Sequence, residues 1–177
     1  MKLWTSQSAA AWAELQSKGV LRAPFSVTTA ADPDWDYFKE PYNWMREQMI
    51  ARSILPPQDH QDIYPLWAWR DHVVAFEEWA RHKRRPKFWG PQNVLLEVDI
   101  PDNQVLLSDY ELWHLVLNGS HATPEERAEW PRLVLDLSWE DPYYRSANPL
   151  VQATFWELRM DQVRVIERRP VLPGWNP

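Results

Sequence analysis

Apolar residues recur along this chain with two periods, and the segments they mark are extended in some places and helical in others. The clearest extended run is Val94-Leu95-Leu96-Glu97-Val98-Asp99-Ile100, where Val94, Leu96, Val98 and Ile100 share one face. Leu3-Trp4-Thr5 predicts a first strand, Val20-Leu21 a brief one, and Val105-Leu106-Leu107 a neighbouring strand or extended arm. Ile63 to Trp69 is an aromatic strand in which Pro65 marks an edge or a strand start, and which puts Trp67 and Trp69 on one face. Val151 to Leu158 and Val163 to Ile166 complete the extended set.

The helical segments carry their own punctuation. Ser6 or Ser8 caps a helix over Ala9 to Gly19, with Trp12 and Leu15 inward and Gly19 as its stop. Pro41 suits a first helical position, followed by a stripe of Tyr42, Met45, Met49, Ile50 and Ile54 that Pro56-Pro57 ends. A third helix spans Asp71 to Arg84 with Val73, Phe76, Trp79 and Ala80 inward, closed by Pro86. Ser108-Asp109-Tyr110-Glu111 has the spacing of a capping box, so a helix through Leu112 and Leu117 to Asn118-Gly119 is expected to start at Ser108 and to pack on the strand bearing Gln152. Thr123-Pro124-Glu125-Glu126 repeats that device, and Leu133 to Leu137 fits either helix or strand. Ala23 to Pro33, with a turn at Asp32-Pro33-Asp34, and Ser138 to Pro149 read as irregular.

Strands at the start, middle and end, separated by helices without strict alternation, predict an α+β fold: a single domain over residues 1–177, with a mainly antiparallel sheet flanked by helices and a Pro-rich tail from about residue 170. A doubly wound parallel sheet is the runner-up. At 177 residues the chain is long enough to bury a real core.

Composition narrows the chemistry. The chain has no cysteine, which excludes disulfides, thiolate metal sites and a cysteine nucleophile. His60 with Asp59 and Asp62 lacks zinc-like spacing, so no metal is expected. Only 4 glycines are present, too scattered for a phosphate-cradling loop, and neither a nucleophile elbow nor a metalloprotease His-Glu pair occurs. A net charge of −6 argues against a generally basic surface, so nucleic acid is not an expected partner. The exception is Arg81, Lys83, Arg84 and Arg85, which either close a helix or contact phosphate. No apolar run approaches a membrane span and the N-terminus has no secretory core, so a cytoplasmic location and no membrane partner are expected. The surplus of 13 Trp and 16 Pro fits either an aromatic cleft or a heavy core.

The polar residues of Val151-Gln152-Ala153-Thr154-Phe155-Trp156-Glu157-Leu158 are the main functional signal, because a strand built for packing alone has no need of Gln152 and Glu157. The remaining candidates are Trp4, Gln7, Tyr64, Trp67, Trp69, Trp113 and His114. Asp109 joins them either as a first-turn helix residue or as an acid. For each tryptophan the competing reading is plain core, and for His114 a hydrogen-bonded helix residue.

Leu3-Trp4-Thr5 with Gln7, Tyr64-Pro65-Leu66-Trp67-Ala68-Trp69, Leu106 to His114 with Leu117-Asn118, and Gln152 to Leu158 together resemble an uncharacterised bacterial family of domains of unknown function, numbered 3841. Residues Ser138 to Ala147 depart from that pattern. The order of parts is also similar to ADP-ribosyltransferase-like domains, in which such parts hold NAD and a late Glu orients the ribose. That second resemblance implies NAD or a related nucleotide as ligand, Glu157 as catalytic carboxylate, Gln152 as its helper, and Trp67 and Trp69 as the ring-stacking wall. The chain lacks a clear His-Tyr-Glu or Arg-Ser-Glu set, and Gln152 is a candidate for the place of the family's Glu, in which case binding alone remains. A non-catalytic module that binds a protein or small ligand through its tryptophans is the alternative from a different class.

Overall fold

The computed structural model describes residues 1–26, 35–83, 93–118, 122–138 and 148–168. In chain order the elements are β1 (Lys2–Ser8), α1 (Ala9–Lys18), β2 (Val20–Leu21), β3 (Ala23–Pro24), α2 (Trp35–Ala51), β4 (Ile63–Tyr64), β5 (Leu66–Trp69), α3 (His72–Lys83) and β6 (Asn93–Asp99). They continue with β7 (Leu106–Asp109), α4 (Tyr110–Leu117), α5 (Pro124–Leu135), β8 (Val151–Phe155), β9 (Leu158–Arg159) and β10 (Val163–Arg168). This is an α+β fold whose sheet is mainly antiparallel and flanked by helices. Contacts divide it into two compact units, one of Met1–Leu21, Ala68–Ile100 and Leu158–Pro177, the other of Arg22–Trp67 and Pro101–Glu157.

In the first unit the strand order is β10, β6, β1, β5. β1 lies antiparallel to β6 with Thr5 opposite Leu96, and Trp4 stands opposite Trp69 of β5. Alternation puts Leu3 and Thr5 on one face, both almost wholly buried, and Trp4 on the other. There Trp4 and Trp69 pack on a core of Ala75, Trp79 and Leu95. The expected cap of α1 is present: Ser8 accepts from the Ala11 amide at 3.1 Å, and Gly19 ends the helix at φ 74° with its N–H donating to the Leu15 carbonyl at 2.8 Å. α3 begins where Asp71 Oδ1 accepts from the amides of Val73 and Val74. Its inward stripe is Ala75 and Trp79, one turn apart, whereas Val73 and Phe76, expected inside, are 50% and 46% exposed. Arg84, Arg85, Pro86 and the Pro-rich tail lie outside the described residues.

In the second unit β7 and β8 are antiparallel neighbours, with Leu106 opposite Thr154 and Ser108 opposite Gln152. The core gathers Met45, Met49, Ile63, Trp113, Trp130 and Trp156 among others. Three expectations change here. The second helix starts at Trp35 and takes Pro41 into its interior, where the missing N–H removes one bond of the ladder. It ends not at Pro56-Pro57 but at a Schellman motif: Ile54 N–H donates to the Met49 carbonyl and Ser53 N–H to the Ile50 carbonyl, with Ser53 left-handed at φ 63°. The cap of α4 is Asp109 rather than Ser108, because the strand runs one residue further; Asp109 Oδ1 accepts from the Leu112 amide at 3.1 Å and Ser108 stays in the ladder. The Thr123–Glu126 capping box is present and α5 runs on through Leu135, which settles Leu133 and Leu135 as helix. The turn at residues 32–34 and the departure at 139–147 lie outside the described residues.

Candidate functional site

The polar segment Val151 to Leu158 is two strands and not one. β8 stops at Phe155, Trp156 bends the chain, and Leu158 and Arg159 pair with Leu21 and Val20. Glu157 is therefore not a face residue of a strand but part of the turn between two of them. The same antiparallel register, carried one step on, puts Arg22 opposite Glu157. Arg22 Nε and Nη2 both donate to Glu157 Oε2, at 2.9 and 2.6 Å, and the two side chains are 23% and 21% exposed. Two charge-assisted bonds converging on that one oxygen hold the carboxylate in position as well as charge, and they leave Oε1 outside the contact with Arg22.

Beside Glu157 is a cavity of about 390 Å³ whose walls include Ser53, Leu55, Asn103, Gln104 and Trp156. Trp156 is buried, and its indole N–H donates to the Ile54 carbonyl at 2.9 Å, so the ring cannot turn without losing that bond. Ile54, Phe155 and the 65% exposed Leu55 make one side apolar. Asn103 and Gln104 belong to a short 3-10 turn and add amide groups at the rim. Left-handed Ser53 holds the chain that carries Ile54 and Leu55 to the cavity, and a strained non-glycine residue at a cavity wall is a frequent companion of ligand sites.

The other candidates divide by unit. In the first, Gln7 Nε2 donates to Thr5 Oγ1 at 2.8 Å, the Trp4 ring lies 5.7 Å from His72, and Trp69 packs in the core. In the second, Trp67 lies 5.2 Å from Trp113 and 5.8 Å from Tyr42, and Tyr42 also meets Tyr64 at 5.7 Å. Tyr64, Trp67 and Trp113 are thus brought together against the core of this unit, Tyr64 and Trp113 buried and Trp67 partly so, and none of the three is among the residues lining the Glu157 cavity, where the aromatics are Phe155 and Trp156. Asp109 is 1% exposed and caps α4. His114 Nδ1 donates to the Tyr110 carbonyl at 2.8 Å, its ring 4.3 Å from the Tyr110 ring, a bond within its own helix. Gln152 is buried opposite Ser108. Reading the sequence missed Arg22, Ser53, Asn103, Gln104 and the role of Trp156. Among them only Asn103 and Gln104 carry a sequence signal, because Pro101-Asp102-Asn103 has the composition of a turn.

A family model described as Domain of unknown function (DUF3841) matches residues 2–134, about three-quarters of the chain. No curated protein and no solved structure matches. No helix among the described residues is long and apolar enough to cross a membrane.

Proposed function

The chain belongs to the DUF3841 family, and we propose that this member binds a nucleotide of the NAD class in the cavity beside Glu157. The observation that carries the reading is the carboxylate of Glu157, held by Arg22 at the edge of a cavity with one apolar side and an amide-bearing rim. Its volume falls within the usual range for small-ligand sites, at the end suited to the nicotinamide and ribose half of NAD. A fixed carboxylate accepts hydrogen bonds from ribose hydroxyls, the amides of Asn103 and Gln104 match a carboxamide, and Ile54, Leu55, Phe155 and Trp156 supply apolar lining.

The finer reading is ADP-ribosyl transfer. In that reaction the bond between ribose and nicotinamide breaks, the pyridine leaves with the bonding pair as a neutral molecule, and the ribose carbon becomes oxocarbenium-like before a nucleophile adds. Glu157 stabilises the developing positive charge, while Arg22 keeps its oxygens aimed. Gln152 is given no part in this step, since it is buried opposite Ser108 and is not among the residues lining the cavity beside Glu157.

Isothermal titration with NAD tests binding, and release of nicotinamide tests transfer. Saturable heat that Glu157→Gln abolishes supports the site. No heat at millimolar NAD rejects it, and binding without nicotinamide release retains the module and rejects the enzyme.

A further inference from the structure

A second cavity, of about 530 Å³, lies between α2 and α5 and has different chemistry. Its floor is made by Trp44 and Trp130, whose rings meet at 88° with centroids 5.7 Å apart. Trp130 is buried, and Trp44 is backed by Trp113 at 6.1 Å and 20°, so the corner between the two indoles is held from behind. Asp36, Glu40 and Glu47 line the same cavity. They recur along α2 at intervals of four and seven residues, which keeps them on one helix face with Trp44.

Indoles beneath carboxylates suit an organic cation, because an aromatic ring presents a negative face and the acids supply net charge. The cavity already holds one such group. The Arg127 guanidinium carbon sits 5.3 Å from the Trp130 ring centroid, its Nη1 pairs with Glu40, and its Nε donates to the Ala122 carbonyl at 3.0 Å. Arg127 thereby neutralises Glu40 and covers one wall. Asp36 and Glu47 remain, forming no ion pair among the described residues, against the single charge of Lys39 at the rim. An anion would meet two carboxylates and one lysine, so the balance favours a cation.

We infer that this cavity is a binding site for a guanidinium group, that of arginine, with the Trp44 face and the carboxylates of Asp36 and Glu47 as its contacts. A guanidinium suits it better than an ammonium, since it is planar, weakly hydrated and able to stack on an indole while donating sideways to acids. The site is separate from the one proposed for NAD and stands or falls without it.

The test uses the full chain and the indole N–H signals of its tryptophans in ¹⁵N NMR. The probe is N-acetyl-arginine amide; the control is the citrulline counterpart, which keeps the shape and loses the charge. Free arginine, added in a parallel titration, distinguishes a free metabolite from an arginine presented by a peptide, according to which binds more tightly. Saturable shifts with the arginine probe are expected, and Glu47→Gln should weaken binding roughly fivefold or more and Asp36→Asn/Glu47→Gln abolish it. Both acids are on a helix surface, so circular dichroism should show an unchanged fold. Equal shifts with the citrulline control, an unchanged affinity in the double variant, or no saturable shift up to about 10 mM probe would overturn the inference.

Discussion

Ser108 and Gln152 stand directly opposite each other on β7 and β8, and each buries a polar atom, Ser108 Oγ and Gln152 Nε2, that has no hydrogen-bond partner among the described residues. Opposed residues project to the same face of an antiparallel pair, so the two groups are neighbours that do not bond. One step along, Thr154 Oγ1 does donate, to the Leu106 carbonyl at 3.3 Å. The contrast sets the first prediction. Ser108→Ala should leave stability unchanged or raise it by about 1 kcal/mol, while Thr154→Val should cost about 1 kcal/mol, because only the second removes a bond that exists. Urea unfolding midpoints at constant slope read both. A loss of more than about 1 kcal/mol in Ser108→Ala would mean that the hydroxyl is satisfied in solution.

The start of α4 gives the second. Asp109 is buried and caps through Oδ1, whereas Glu111 is exposed on the first turn. Asp109→Ala should therefore destabilise the protein by about 1–2 kcal/mol, and Glu111→Ala by a few tenths at most. If Ser108 and Glu111 formed the reciprocal box that their spacing predicts, Glu111→Ala would be the costly change of the two.

These residues also show how far the sequence could be read. Strand and helix periods were legible wherever one face packs: Val94 to Ile100, Trp12 with Leu15, and the caps at Ser8 and Thr123 all follow from local rules. Boundaries failed where a neighbour in space decides. Ser108 is a good capping residue, but pairing with Gln152 keeps it in the ladder. Val73 and Phe76 are as apolar as Ala75 and Trp79, and only the sheet selects which stripe turns inward. The candidate cavity was hardest, since Arg22 and Glu157 are 135 residues apart and Ser53 reaches the cavity through a helix end that carries no glycine. Trp67 and Trp113 stand out in the sequence for their size, and the structure packs them against each other 5.2 Å apart, away from the residues lining the Glu157 cavity.

Gly19 isolates a backbone effect. It is left-handed at φ 74°, and a Cβ built there would touch nothing within 4 Å. Gly19→Ala should still lower stability by about 1 kcal/mol, since the penalty is the conformation itself, partly offset by a stiffer unfolded chain. Gly19→Asn should cost less, because asparagine tolerates this region better than alanine. Thermal unfolding of the two variants side by side checks the order. An alanine variant as stable as the parent would show that α1 can end without the left-handed residue.

The Arg22–Glu157 pair allows a prediction that separates structure from function. With each side chain about one-fifth exposed, the pair falls between surface bridges, worth about 0–1 kcal/mol, and buried ones, where losing one partner costs about 3–5 kcal/mol. A double-mutant cycle of Arg22→Met and Glu157→Gln should return a coupling of about 1–2 kcal/mol, the double variant being little worse than either single, because each single leaves the other group unmatched. Arg22→Lys should recover the charge but not the paired Nε and Nη2 bonds to Oε2, and so only part of that coupling. Added NAD should raise the unfolding midpoint of the parent by mass action and leave that of Glu157→Gln unmoved. A full coupling energy with no midpoint shift in the parent would make the pair a clasp between Arg22 and the Trp156–Glu157 turn, with no ligand to hold.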